Sequence, residues 1–278
     1  MSKNRQHIKI LFLPYFWLFI FFILPLLIMF VYSFSQRGTY GGVKYIFTIS
    51  NYINSFDPLY FKLFLRSLTY SFFSTLIALL IGYPIAYYIA TSTAKIKAIL
   101  IFLVILPFWT NFLIRIFSWI VILGTEGMVN DFLIWIGLVE SPIELLFNDF
   151  SVMLGLVYGV LPYMILPIVA SLDKLDKNLL EASVDLGANR FETFYKVTFP
   201  LSMQGVVTGI VFVFIPSLGQ FVVPDILGGT STYMIGNTIS NQFITVRNWP
   251  FGSAMSMLLM LIVSITISLY IRYSKKKY

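Results

Sequence analysis

The segment Leu172-Asp-Lys-Leu-Asp-Lys-Asn-Leu-Leu-Glu-Ala-Ser-Val-Asp-Leu-Gly-Ala-Asn-Arg-Phe-Glu-Thr-Phe-Tyr-Lys-Val-Thr-Phe-Pro200 decides how this chain is read. Leu175, Leu179, Ala182 and Leu186 recur at helical spacing with Asp and Lys between them, which predicts an amphipathic helix. Gly187 follows where a left-handed residue ends a helix. A second short helix, about Arg190–Thr198, presents Phe191, Phe194 and Tyr195, and Pro200 is expected to stop it. The result is a helix–turn–helix with an apolar face and too little length of its own to bury it. Two readings stand side by side: a solvated, mildly amphipathic connector, or an element that docks on a partner.

Outward from this segment the chain turns strongly apolar. Ser151–Leu172 precedes it and Met203–Pro224 follows, and each is long enough to cross about 30 Å of hydrocarbon. Four more stretches qualify, about Ile10–Tyr32, Ser67–Ala90, Ala98–Leu123 and Phe251–Tyr273. The expected fold is therefore all-α, a polytopic membrane protein of six transmembrane helices forming one domain over residues 1–278. Of the 278 residues 58% are hydrophobic and 11% charged, and mean hydropathy is +0.86. A soluble domain carries about twice that charged fraction. The 28 Phe and 17 Tyr suit a bilayer and its interfacial belts. Pro107 and Pro216 predict kinks or unwinding in the third and fifth spans. Gly155/Gly159 and Gly205/Gly209 place small residues four apart, a spacing that lets helices approach closely. The first span carries Lys3, Arg5 and Lys9 before it but is too long for a signal peptide, and reads as a retained anchor.

Charge placement orients the chain. The N-terminal tail, the Thr91–Lys97 turn, the Asp173–Phe199 loop and the Arg272–Lys277 tail hold most of its 19 basic residues. With six spans all four lie on one side, the cytoplasm by the positive-inside rule, and both termini are cytoplasmic. The opposite loop carries Glu126, Asp131, Glu140, Glu144 and Asp149 with no Lys or Arg. The net charge of +7 thus reflects topology, and nucleic acid is not implied. Cysteine is absent and His7, in the basic tail, is the sole histidine, read as solvated and inert. That excludes disulfides, thiolate sites, a Ser-His triad and multi-histidine metal sites. No P-loop run occurs, so the chain is expected to bind no nucleotide and no cofactor of its own.

Glu181, Ala182, Gly187 and Pro200 stand at the spacing of the E-A-A-x3-G-x9-I-x-L-P loop, and the segment resembles the docking loop of permeases of binding-protein-dependent ABC importers. Ser183, Val197 and Phe199 depart conservatively from that pattern. Further stretches, Asp57-Pro-Leu-Tyr-Phe61, Pro107-Phe-Trp-Thr-Asn-Phe-Leu-Ile-Arg-Ile116, Leu175-Asp-Lys177, Leu179-Leu-Glu-Ala182, Asp185-Leu-Gly-Ala188 and Trp249-Pro-Phe-Gly252, resemble the spermidine/putrescine permeases of that family. The resemblance implies a type I importer fold in a bacterial inner membrane. It implies a cytoplasmic ATPase in two copies, which holds ATP and Mg and receives the loop. It also implies a second homologous permease and an external polyamine-binding protein.

A polyamine is an alkyl chain bearing protonated amines, so its path should combine carboxylates with aromatic faces. Polar groups inside spans are costly and become candidates by default. Trp109 reads as a path residue or as packing or belt. Asn111 reads as a path residue or as a partner for backbone groups freed near Pro107. Tyr158 and Tyr163 line the path or pack the bundle. Asp225, closing the fifth span at the outer boundary, contacts substrate or is a solvated acid. Arg115 would repel a polycation and is expected to pair with an acid or face away. The acidic outer loop concentrates polycations, obeys topology or meets the binding protein. Importers of thiamine, iron, sulfate or molybdate would share the docking loop, although anionic cargo would call for basic residues deep in the spans. A secondary transporter would need mid-span acids and an intramembrane enzyme a nucleophile–base pair; neither is present.

Overall fold

A computed structural model of the chain describes residues 14–229 and 232–275, with the side chains of 177 and 269–275 excepted. His7, Lys3, Arg5, Lys9 and the start of the first predicted span lie outside the described residues. So do Lys276 and Lys277. Six helical stretches among the described residues are long and apolar enough to cross a membrane: Pro14–Ser33, Pro58–Thr91, Phe112–Trp135, Asp149–Leu172, Arg190–Leu218 and Trp249–Ser268.

The chain divides into two compact units, one within Met1–Lys62 and Thr238–Tyr278, the other Leu63–Asn237. The first unit opens with α1, Pro14–Ser33, which contains a π turn at Phe19–Ile23. Strands β1 (Gln36–Arg37) and β2 (Val43–Lys44) then pair antiparallel. Helix α2 spans Ser50–Ser55, and α3, Pro58–Thr91, begins here. Asp57 caps α3 by accepting the Leu59 amide at 2.9 Å, with Pro58 at the first helical position, where a missing N–H costs nothing.

In the second unit α3 continues and is followed by α4 (Ala94–Ile105), α5 (Phe112–Leu123), α6 (Met128–Trp135) and α7 (Asp149–Leu172). Then come α8 (Lys177–Asp185), α9 (Arg190–Thr193), a π turn at Phe194–Thr198, α10 (Phe199–Leu218) and α11 (Val222–Leu227). Helix α12, Ile235–Ile244, leads back to the first unit, where α13 (Trp249–Lys275) packs along α1 and against α2. In their most apolar stretches 56% of α7 is buried within the chain but only 6% of α1. Helix α7 is thus the axis of the second unit, while α1 presents its apolar surface outward.

Two helices form the densest contact, α7 against α10. A Cβ on Gly205 would stand 2.5 Å from Ser171 Cβ and 2.6 Å from the Pro167 carbonyl, and one on Gly209 2.7 Å from Met164 Sδ. The small-residue pair in α10 therefore sets how closely the helices approach. Gly155 faces α11 instead, where a Cβ would meet Leu227 and Val223 below 3 Å; at Gly159 the nearest atom is Phe112's at 3.6 Å. One apolar cluster, including Ala78, Ile89, Met164, Ile168 and Val213, fills one end of this unit; another, with Ile116, Val152, Leu156 and Leu227, fills the other end.

Three boundaries differ from the sequence expectation. The third predicted span is two helices: after a 3-10 turn at Leu106–Trp109, Thr110 and Asn111 are extended at ψ 151° and 134°. Pro107 unwinds the chain there, as expected of it. The fifth ends at Leu218, and Val222–Leu227 is a separate helix, because Gly219 terminates α10. Pro200 does not stop a helix. It sits in the first turn of α10, so the helical path runs from Arg190 through the π turn to Leu218. Pro84, Pro162 and Pro167 lie inside continuous helices.

Candidate functional site

The helix–turn–helix forms as its residues dictate. Asp176 caps α8 through the Asn178 amide at 3.0 Å. At its other end Gly187 adopts φ +84°, its amide bonds the Val184 carbonyl at 2.9 Å, and the Ala188 amide bonds Ser183 at 3.0 Å. These two bonds define a Schellman stop, which requires the left-handed residue that glycine supplies without strain. Asn189 and Glu192 then form a reciprocal capping box for α9, a signal legible in the Asn-x-x-Glu spacing. Ser183, where the family pattern has alanine, bonds the Leu180 carbonyl at 2.7 Å and Thr193 Oγ1 at 2.9 Å, tying α8 to α9.

The loop is anchored at one end and open at the other. Phe194 packs edge-on to Tyr83 and Tyr87 at 5.7 Å each, and Tyr83 Oη shares a 2.8 Å hydrogen bond with Ser202. Leu175 and Phe194 thereby join the core cluster, which satisfies part of the apolar face within the chain. Leu179, Val184, Leu186, Phe191 and Tyr195 stay exposed, Leu186 at 89%. Ala182, Pro200 and Glu181 are exposed too, and Glu181 makes no hydrogen bond or ion pair among the described residues. Caps come from Asp176, Asn189 and Glu192, so an internal capping role for Glu181 falls away. Lys97 pairs with Asp173, which joins the Thr91–Lys97 turn to the loop's start. These two segments lie at one end, as their shared basic character predicts. The acidic loop is organised separately: buried Asn130 bonds Gly124 and Ile143, and Ser151 bonds the Leu227 carbonyl.

The substrate-path candidates fall into two places. Asn111 caps α5, its Oδ1 accepting the Leu113 amide at 2.8 Å, which is the backbone role open to it. Around it an aromatic set forms: Phe108 meets Tyr163 at 5.3 Å, and Trp119 meets Tyr158 at 5.5 Å. Arg115 lies among them, its guanidinium 4.7 Å from the Phe108 ring, 5.7 Å from Phe112 and 5.8 Å from Tyr158. No acid pairs with it among the described residues, and its Nε and Nη1 are buried without a partner. Of the two expectations for Arg115, pairing with an acid is not met; ring faces surround its guanidinium instead. Trp109 is 73% exposed and touches Phe102 edge-on at 5.5 Å. Asp225 stands apart on α11, exposed, with Asn237 Nδ2 donating to it at 2.5 Å and to the Phe221 carbonyl at 2.8 Å. Sequence reasoning missed the Ser183–Thr193 tie and the Tyr83 anchor, since both join residues remote in helical register or in the chain.

Six helices among the described residues are long and apolar enough to cross a membrane, and the helix–turn–helix before the fifth leaves apolar side chains exposed. The chain belongs to the family described as binding-protein-dependent transport system inner membrane component, which it matches over residues 8–277. It is a multi-pass inner-membrane permease of that family. Among curated relatives it is 44% identical over 259 residues to the spermidine/putrescine transport system permease protein PotB of Haemophilus influenzae, covering 93% of this chain and 91% of that one. To PotB of Escherichia coli (strain K12) it is 42% identical, covering 93% and 94%. In fold it matches a bacterial ABC transporter that imports alginate, with TM-score 0.73 at 17% identity over 99% of both chains. A second alginate transporter structure, in complex with a pentasaccharide-bound periplasmic protein, gives 0.76 at 16% identity over 96% of this chain and 93% of that one. The type I importer permease fold expected from the loop is the fold found.

Proposed function

We propose that this chain is the permease subunit of a polyamine importer, passing spermidine or putrescine inward as a partner ATPase hydrolyses ATP. The observation that carries the reading is identity of 42–44% over 93% of the chain to spermidine/putrescine permeases. The exposed face of α8 and α9 supports the coupling half: Glu181, Ala182, Gly187 and Pro200 meet a cytoplasmic ATPase, present in two copies, which carries ATP and Mg. This chain itself binds no cofactor and acts as one permease domain. A second homologous permease completes the path and an external binding protein delivers cargo. Both termini and the α8–α9 loop are cytoplasmic, in keeping with the positive-inside rule. Trp109 and Asp225 contact the passing cation; Tyr158 and Tyr163, beside Arg115, line its surroundings, and Asn111 holds the break between α4 and α5.

The test is ATPase stimulation in the reconstituted complex by binding protein loaded with polyamines, against sulfate or molybdate with their own carriers. Stimulation by polyamine alone is expected; stimulation by an oxyanion overturns the assignment. Asp225→Asn lowers polyamine uptake while the ATPase still co-purifies. Trp109→Leu, if it removes a desolvated cation–π contact of about 2 kcal/mol, lowers uptake at limiting substrate by up to about thirtyfold. Unchanged uptake in both variants removes these residues from the path.

A further inference from the structure

Within the first unit, a cavity of about 390 Å³ opens between α2, the start of α3, the end of α12 and the start of α13. Its wall holds Asn51, Asn54, Asp57, Tyr60, Gln242 and Asn248, with Val246 and Phe251 as apolar floor. The volume falls in the range of small-ligand sites, about 300–1,000 Å³. Counting six spans from the cytoplasmic basic segments, the connections that form it fall on the external side.

Amide groups of both kinds line this wall, and among its polar atoms two acceptors, on Asn51 and Asp57, are free to meet a donor. Asn51 is buried, and its amide nitrogen donates to the carbonyls of Ser33 at 3.0 Å and Ser35 at 2.8 Å. Both its N–H groups are thus engaged, which leaves Oδ1 as the free acceptor. Asp57 uses Oδ1 on the Leu59 amide, and Oδ2 has no hydrogen-bond partner among the described residues. Tyr60 and Phe251 meet with ring centroids 5.0 Å apart at 58°, so one ring presents a face beside the other's edge. Among the side chains of the wall there is one carboxylate and no Lys or Arg. Arg37 reaches the margin, where its guanidinium is held by the Val246 carbonyl at 2.7 Å. The Asp57 side is therefore the side for a cation.

An alkylammonium matches this set: a carboxylate and an amide oxygen for the N–H donors, ring faces for the charge, and Val246 and Phe251 for the methylenes. An anionic ligand would face the Asp57 charge with no Lys or Arg side chain in the wall to offset it. We infer that this cavity is an external ammonium-binding site of the permease, distinct from the Trp109 and Asp225 candidates, which takes one end of a polyamine. The inference rests on the polyamine reading of the protein for the identity of the ligand, and on the cavity for its chemistry.

The absence of cysteine from this chain makes a direct test available. Asn54→Cys places a single thiol in the wall. Its modification by an uncharged maleimide is followed on this subunit's band in the assembled complex, without binding protein. Spermidine is expected to slow labelling several-fold over sodium or magnesium chloride at equal ionic strength. Adding Asp57→Asn, which keeps the Oδ1 acceptor that caps α3 but removes the charge, abolishes that protection. Equal labelling with and without spermidine overturns the site, as does equal protection by magnesium or protection that appears only with binding protein present. On the same preparation, ATPase stimulation by spermidine-loaded binding protein reports on the substrate reading separately. Stimulation without protection sinks the cavity alone, and protection without stimulation sinks polyamine import alone.

Discussion

At Gly187 a single backbone angle carries the shape of the docking loop. A left-handed residue was expected there from the end of the apolar period, and φ is +84°. A Cβ at this position would meet nothing within 4 Å, so crowding plays no part. The cost of substitution is therefore conformational, about 1–2 kcal/mol for a residue with a Cβ in the left-handed region. Gly187→Val is expected to leave the spans inserted yet weaken co-purification of the ATPase and abolish transport. Gly187→Asn, whose side chain tolerates this conformation, should retain more of both. Wild-type co-purification and uptake in Gly187→Val vesicles would make the loop a plain connector.

Among the elements, the contact between α7 and α10 is set by two glycines whose neighbours include backbone atoms of α7. Pro167's carbonyl and Ile168 Cα stand 2.6 and 3.0 Å from where a Gly205 Cβ would be. Backbone cannot rotate away as a side chain does, so Gly205→Ala forces the helices apart and costs about 1–3 kcal/mol. Gly159→Ala, with Phe112 at an ordinary 3.6 Å, serves as the control and should be near neutral. The thermal midpoint of the purified permease distinguishes them: a drop in the first and little change in the second is expected, and equal midpoints would remove Gly205 from the interface. The same spacing of small residues in the sequence thus has two uses, since Gly155 faces the short α11 rather than another spanning helix.

For the whole molecule the decisive measurement is sidedness. Ser141, in the acidic loop, is exposed and suits a cysteine probe. Ser183, an obvious choice in the docking loop, is buried and bonded to Thr193, so Leu186, at 89% exposure, is the better site there. Ser141→Cys is expected to react with an impermeant maleimide from outside and Leu186→Cys only from the cytoplasm. Labelling of both from one side would overturn the topology and the coupling scheme with it.

The number of spans and the helix–turn–helix were both legible in the sequence, because each rests on local physics. Run length measures against bilayer thickness, and Gly187 stops its own helix through bonds within five residues. What only the tertiary structure decided depends on neighbours distant in the chain. Prolines illustrate this: Pro107 marks a true break, whereas Pro162 and Pro167 ride inside α7, the most buried of the six spans, and Pro200 begins a helix it was expected to end. Among the described residues no carboxylate pairs with Arg115, and the rings of Phe108, Phe112 and Tyr158 converge on it instead. The wall of Asn51, Asp57, Gln242 and Asn248 joins residues nearly two hundred positions apart. No periodicity brings such groups together; packing of the helices that carry them does.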